Sequence, residues 1–117
     1  MNGRVIFPDK LMASPTAQLF INADVRWHGG LVAGGCDEGC AAYLQVALVD
    51  ASTRKPIPGF SQGECDVVLN RDAANILITW RGGNPLLPQG RAFQVMVAWR
   101  DGTLYGAYLG THVAPRW

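Results

Sequence analysis

Residues 43–66 read YLQVALVDASTRKPIPGFSQGECD, and this stretch decides the fold class. Its first eight residues alternate, with Leu44, Val46 and Leu48 on one side of an extended chain and mostly apolar residues on the other. A segment that is apolar on both faces is typical of a strand inside a sheet. Residues 52–59, STRKPIPG, end that strand because proline has no N–H to donate. The stretch therefore predicts a central strand over residues 43–50, a turn, and a crossing to another part of the sheet over residues 60–66.

Other segments of the chain also have a period of two. They predict strands over residues 5–7, 18–26, 75–80, 91–100 and 103–109, with a short edge at 67–69. The second of these places Leu19, Ile21, Ala23 and Val25 on one face. Residues 27–40 contain five glycines and predict a loop or a pair of bulged strand ends. Residues 101–102, Asp-Gly, predict a tight hairpin between the last two strands. Strands about every ten residues, without a helical pattern, predict an all-β antiparallel β-sandwich.

Length and charge limit the other properties of the chain. We expect one domain over residues 1–117, with a flexible tail at 110–117. A net charge of +1 favours neither nucleic acid nor an anionic membrane surface, and no apolar run is long enough to span a bilayer. Charged residues are only 16% of the chain, which predicts a face that is apolar or covered by a partner. The N-terminus lacks the apolar centre of a secretory signal, so we expect a cytoplasmic protein or a piece of an exported one.

Four fragments occur in a recognisable order: LFINADV (19–25), LQVALVDASTRKPIPGFSQGECD (44–66), ITWRGG (78–83) and GRAFQVMVAWRDGTLYGAYL (90–109). Together they resemble the C-terminal β-sandwich domain that follows the five-bladed propeller in many bacterial glycoside-hydrolase-like and sialidase-like proteins. The matching positions are Asn22 and Ala23, Asp50 and Ala51, the corner at 56–60, Cys65 and Asp66, Trp80 and Gly82, and Leu104 and Tyr105.

This resemblance implies a jelly-roll, concanavalin-like sandwich that accompanies a catalytic domain without being catalytic itself. The sequence holds no propeller, so no catalytic residue is carried over. It also departs from the pattern at residues 33–42, AGGCDEGCAA, which replace a shorter link. Because the family's sandwich is longer at its N-terminus, we expect an open sheet edge that a second copy could close.

The cysteine loop leaves three interpretations open. Cys36 and Cys40 could form a disulfide in an oxidising compartment, stay as free thiols, or bind zinc together with Cys65 and His28. Cys65 matches a structural cysteine of the family, and we expect it in the core.

No catalytic constellation is predicted. His28 and His112 are the only imidazoles, and no Gly-x-Ser-x-Gly motif occurs. Most acidic residues lie in predicted turns, where they cap backbone donors; Glu64 and Asp66 form the one conspicuous carboxylate pair. Calcium stays open beside zinc, although no recognisable calcium loop occurs. We therefore predict a non-enzymatic protein without a required cofactor.

Aromatic residues are the remaining candidates for binding. Trp80 and Trp99 are in phase with core positions, whereas Trp27 and Tyr108 are expected at the surface, where flat rings can stack on sugars. The ligand-binding residues predicted from the sequence are Trp27, His28, Arg100 and Tyr108.

The leading hypothesis is a non-catalytic module, related to carbohydrate-active proteins, that binds a glycan or supports a catalytic partner. The alternatives are an assembly domain that oligomerises through open sheet edges, and a small metal-binding protein that uses the Cys36/Cys40 loop.

Overall fold

The computed structural model describes residues 3–25, 42–69, 71–100 and 102–111. Within them the chain forms seven strands: β1 Gly3–Ile6, β2 Ala17–Val25, β3 Tyr43–Asp50, β4 Val68–Leu69, β5 Arg71–Leu77, β6 Phe93–Arg100 and β7 Thr103–Thr111. One 3-10 turn lies at Gln62–Glu64. No helix in this part of the chain is long and apolar enough to cross a membrane.

The strands form two antiparallel sheets that pack face to face as a β-sandwich. The first sheet has the order β1-β6-β3-β4 and the second the order β5-β2-β7. The predicted all-β antiparallel sandwich is confirmed, and its jelly-roll, concanavalin-like detail stays a prediction. β3 has the predicted bounds and lies between two neighbours, as expected for a strand that is apolar on both faces.

The core lies between the two sheets and follows the alternation of the sequence. Leu19, Ile21, Ala23 and Val25 of β2 are fully buried, and they face the buried Leu44, Val46 and Leu48 of β3 and Phe93, Val95 and Val97 of β6. Trp80 is also fully buried. Its indole N–H donates to the Val46 carbonyl at 3.1 Å, and its ring meets Phe60 edge to face at a centroid distance of 5.2 Å. Trp80, which follows β5, is therefore bonded directly to a strand of the first sheet.

Hydrogen bonds fix the turns of residues 50–66. The Asp50 carboxylate accepts the backbone N–H groups of Ser52 and Thr53, which explains why β3 ends there. The corner that contains both prolines then returns along β3, where the Ile57 N–H donates to the Leu48 carbonyl and the Leu48 N–H donates to the Phe60 carbonyl. Burial of Ile57 and Phe60 fixes this corner against the core.

Strands other than β3 differ from their predicted bounds, β5 by up to four residues and the rest by one or two residues at an end. β5 begins at residue 71 instead of 75 and ends at Leu77 instead of Trp80. Pairing with β2 extends it backwards, since Arg71 and Asp72 lie opposite Val25 and Asp24. After Leu77 the chain turns away to lie beside residues 64–66, where the Asp66 N–H donates to the Thr79 carbonyl. β7 continues to Thr111, so two residues of the expected tail belong to a strand.

The predicted hairpin at residues 101–102 is wrong. β6 belongs to the first sheet and β7 to the second, so the connection between them crosses from one sheet to the other. Asp101 lies outside the described residues. At Gly102, an added Cβ would collide with the Asp24 carbonyl oxygen and with Val25. Glycine is required there because the chain passes close to the end of β2, which a local turn signal does not reveal.

A candidate ligand-binding face

The outer face of the second sheet is built by the residues of β2 that alternate with its core positions. Because Leu19, Ile21 and Ala23 point inward, Gln18, Phe20, Asn22 and Asp24 point outward. In the register with β7, Phe20 lies opposite Tyr108, Asn22 opposite Gly106, and Gln18 opposite Gly110. This face therefore carries an aromatic pair, Phe20 and Tyr108, with the amide side chains of Gln18 and Asn22 on either side of Phe20 along β2.

Phe20 and Tyr108 form a nearly parallel pair, which we call the aromatic platform. Their ring centroids lie 5.5 Å apart with an interplanar angle of 19°. The Tyr108 hydroxyl donates to the Ala74 carbonyl at 3.1 Å. Ala74 is on β5, and β2 lies between β5 and β7, so the acceptor is two strands away, about 10 Å at the usual strand spacing. To reach it the tyrosine side chain must extend across β2, and 44% of Tyr108 is exposed.

Glycines on both sides of Tyr108 leave this platform open. A Cβ added at Gly106 would meet nothing within 4 Å, and one added at Gly110 would come no closer than 3.4 Å to the Phe20 ring. Neither glycine has a left-handed backbone, so turn geometry does not explain them. Because neither glycine has a side chain, no side chain of β7 rises next to the two rings at these positions. The Gln18 side-chain oxygen, opposite Gly110, is buried and has no hydrogen-bond partner among the described residues.

A slit runs along the free edge of β7, next to the platform. It has a volume of about 290 Å³ and is lined mainly by Phe7, Leu11, Val95, Ala107 and Leu109, with Asp9 and Tyr108 completing it. A shallower hollow of about 250 Å³ continues it past Met12 and Ala17. The apolar lining arises because the sandwich is open between the β7 edge and the segment that follows β1.

The four binding residues predicted from the sequence do not come together in the described part of the chain. Tyr108 lies on the platform, and its predicted exposure is confirmed. Arg100 ends β6 opposite Tyr43, in the other sheet. Trp27 and His28 lie outside the described residues, so their part in binding stays a prediction. Of the core tryptophans, Trp80 is buried as expected, while Trp99 is only partly buried.

Cys65 is part of the core, as the resemblance implied. The Val46 N–H donates to its sulfur at 3.2 Å, and its thiol donates to the Asp66 carbonyl at 3.4 Å. Burial raises the pKa of the Cys65 thiol to about 11, so at neutral pH it is protonated and a poor metal ligand. Cys36 and Cys40 lie outside the described residues, where the three interpretations of their loop stay open. Within the described ranges no group of three metal-ligating side chains occurs.

Glu64 and Asp66, the conspicuous carboxylate pair, are engaged in separate local structures. Glu64 accepts the Ser61 hydroxyl at 2.8 Å and the Gly59 N–H at 3.0 Å, so it closes the turn before the 3-10 segment. Asp66 accepts the Thr79 hydroxyl and the N–H groups of two glycines at residues 82 and 83. These bonds lower the pKa of both carboxyl groups. A glycosidase acid needs a raised pKa, so both carboxylates are better explained by their turns.

Sequence reasoning missed the part of the face contributed by β2. Phe20, Gln18 and Asn22 are out of phase with the core positions of the strand, and none of them is among the binding residues predicted from the sequence. The one available signal was an aromatic residue at an outward position of an alternating strand, flanked by two amides.

No family model, curated protein or solved structure matches this chain. The resemblance to propeller-associated sandwich domains therefore stays a prediction.

Proposed function

We propose that this protein is a non-enzymatic β-sandwich module that binds a glycan on the outer face of the β5-β2-β7 sheet. The observation that carries the proposal is the pinned, half-exposed Tyr108 ring beside Phe20. Sugar rings present flat apolar faces of C–H groups, which pack on aromatic rings. A ring held by the bond to Ala74 has already lost its side-chain freedom, so a ligand gains the stacking contact with little further entropy cost.

The polar groups around the platform support a sugar rather than a purely apolar ligand. The Asn22 amide can donate to and accept from hydroxyl groups, whereas Gln18, whose side-chain oxygen is buried, offers only its amide nitrogen as a donor. They lie on the same outward face as Phe20, one before it and one after it. A ligand that stacks on the rings and offers hydroxyl groups at its rim fits this arrangement. Support of a separate catalytic partner, the other part of the leading hypothesis, stays a prediction.

A glycan array followed by calorimetry tests the proposal. We expect Tyr108→Ala to weaken binding of an array hit about two- to tenfold, because one aromatic contact contributes about 0.5–1.5 kcal/mol. Tyr105→Ala is the matched control, since Tyr105 is 65% exposed on the same strand but has no counterpart opposite it on β2. A blank array, or equal losses in both variants, would refute the proposal.

Two further variants separate the contributions within the site. Tyr108→Phe keeps the ring but removes the bond to the Ala74 carbonyl, so we expect a smaller loss of affinity than for alanine. Trp27→Ala tests the loop residue predicted from the sequence. Weaker binding with an unchanged melting temperature would add Trp27 to the site, whereas a large fall in melting temperature would assign it to the core.

A further inference from the structure

We propose that β7 pairs with β7 of a second copy of this chain, so that two sandwiches share one continuous sheet of six strands. β7 ends the β5-β2-β7 sheet and, among the described residues, is paired on one side only. Its other side presents a row of unpaired backbone groups, which is a template for another strand.

In the part of the chain that the structure describes, β7 differs from the other three sheet edges in lacking the features that usually prevent such pairing. β1 has four residues including Arg4, β4 has two residues, and β5 begins with Arg71 and Asp72. β7 has nine residues, TLYGAYLGT, without a charge or a proline. Charges, prolines and short length are the common means of blocking strand addition, so β7 is the edge left open.

A bulge limits where the pairing occurs. Ala23 lies opposite Leu104 and Asn22 opposite Gly106, so Tyr105 is an extra residue that the β2 register does not match. The following run, residues 106–111, is in regular register with β2. This run can pair with its own copy in antiparallel orientation about a twofold axis at Tyr108, which places Tyr108 of the two copies opposite each other and keeps side chains of the same face together. Pairing the five residues 106–110 adds about four to six backbone hydrogen bonds.

A second copy fits this edge better than a charged partner. The strand carries no charge, and the net charge of the chain is only +1, so two identical edges meet without strong repulsion. Ala107 and Leu109 of each copy line the slit below the edge, where they are open to water. Antiparallel pairing brings the slits of the two copies side by side and covers this apolar surface.

Pairing of two copies also affects sugar binding, an inference that rests on the proposed glycan site. A twofold axis perpendicular to a sheet keeps the same face of both copies on the same side. Two aromatic platforms then lie on one surface, and a weak site gains avidity for a repeated sugar.

Sedimentation of the purified chain over a concentration series, without any sugar, tests the pairing. We expect a reversible dimer that Gly106→Lys weakens at least tenfold, because a lysine at this position places a charge beside the paired strand. Gly63→Lys is the matched control. It adds the same charge, and a Cβ added at Gly63 likewise meets nothing within 4 Å, but Gly63 lies in the 3-10 turn. A chain that stays monomeric up to about millimolar concentration, or equal effects of both lysines, would overturn the inference.

Hydrogen exchange of the wild type locates the interface. Amides within residues 106–110 should exchange more slowly as the concentration rises, while amides of β4 and β5 should not change. Slowing at β4 or β5 instead would show that another edge pairs. Because no sugar is present, failure of this inference leaves the glycan proposal standing, and failure of the glycan array leaves the dimer standing.

Discussion

Replacing Trp80 with phenylalanine should cost about 3–5 kcal/mol of unfolding free energy. Trp80 is fully buried, and its indole N–H donates to the Val46 carbonyl at 3.1 Å. Phenylalanine has no donor, so a buried carbonyl loses this bond at a cost of about 1–3 kcal/mol. The change also removes three buried ring atoms, which at about 0.8 kcal/mol per apolar group adds about 2 kcal/mol. The sum is a large part of the stability of a domain of this size.

Urea unfolding followed by circular dichroism measures the effect of Trp80→Phe, with Trp99→Phe as the matched control. Trp99 is only partly buried, and its indole N–H donates to the Gly102 carbonyl near the chain surface. We expect its replacement to cost about 1 kcal/mol. A loss below about 1 kcal/mol for Trp80→Phe, or a larger loss for the control, would refute the role of Trp80 as a link between β3 and the segment after β5.

Three further predictions concern local contacts. The hydrogen bond from the Thr79 hydroxyl, and then those from backbone amides, lower the pKa of Asp66. The ionised Asp66 therefore stabilises the fold above its usual pKa of 3.8, and this contribution is lost as the pH falls through the lowered pKa of the folded state. The urea midpoints of wild type and Asp66→Asn should accordingly converge between pH 6 and pH 2. A difference that stays constant over this range would contradict the assignment. Gly102→Ala should destabilise the fold by about 1–3 kcal/mol because the added Cβ collides with β2. Gly63→Ala is the control and should be nearly neutral, since there is open space around Gly63. Thermal unfolding that ranks the two variants the other way would contradict the close approach of Gly102 to β2. In a variant whose other two cysteines are serine, Cys65 should react with iodoacetamide at pH 8 far more slowly when folded than in urea, since burial raises its thiol pKa to about 11; equal rates would show that Cys65 is accessible.

The sequence predicts well those strands in which apolar positions alternate along the whole strand and in which nearby residues, such as a capping aspartate, define the end. β3 has the predicted bounds because an apolar run ends at Asp50, whose carboxylate caps the following turn. The inward face of β2 follows from its period of two for the same reason. In both cases a physical signal within about ten residues is sufficient to define the element.

Elements defined by distant partners could not be predicted in this way. The start of β5 is polar, and it is a strand because residues 71–73 pair with the end of β2. The Asp-Gly step at 101–102 indicates a change of direction but not which sheet receives the next strand. Gly102 is required by a contact with residues nearly eighty positions away, which only the folded chain reveals.

The candidate site was only partly accessible from sequence for the same reason. Tyr108 was predicted as an exposed aromatic residue on the last strand, and its exposure is confirmed. Its pairing with Phe20 depends on the β2–β7 register, and its orientation depends on a bond to Ala74 two strands away. Arg100, another residue of the predicted set, lies in the other sheet, because the sequence does not show which sheet receives each strand.

The most direct test of the central claim is a nitrogen-15 NMR titration of the labelled protein with a glycan identified on the array. The amide signals that move most should belong to Gln18, Phe20, Asn22 and Tyr108, while the signals of β3 and β6 should stay in place. Shifts confined to the first sheet, or an absence of shifts at saturating glycan, would contradict a binding site on the outer face of the β5-β2-β7 sheet.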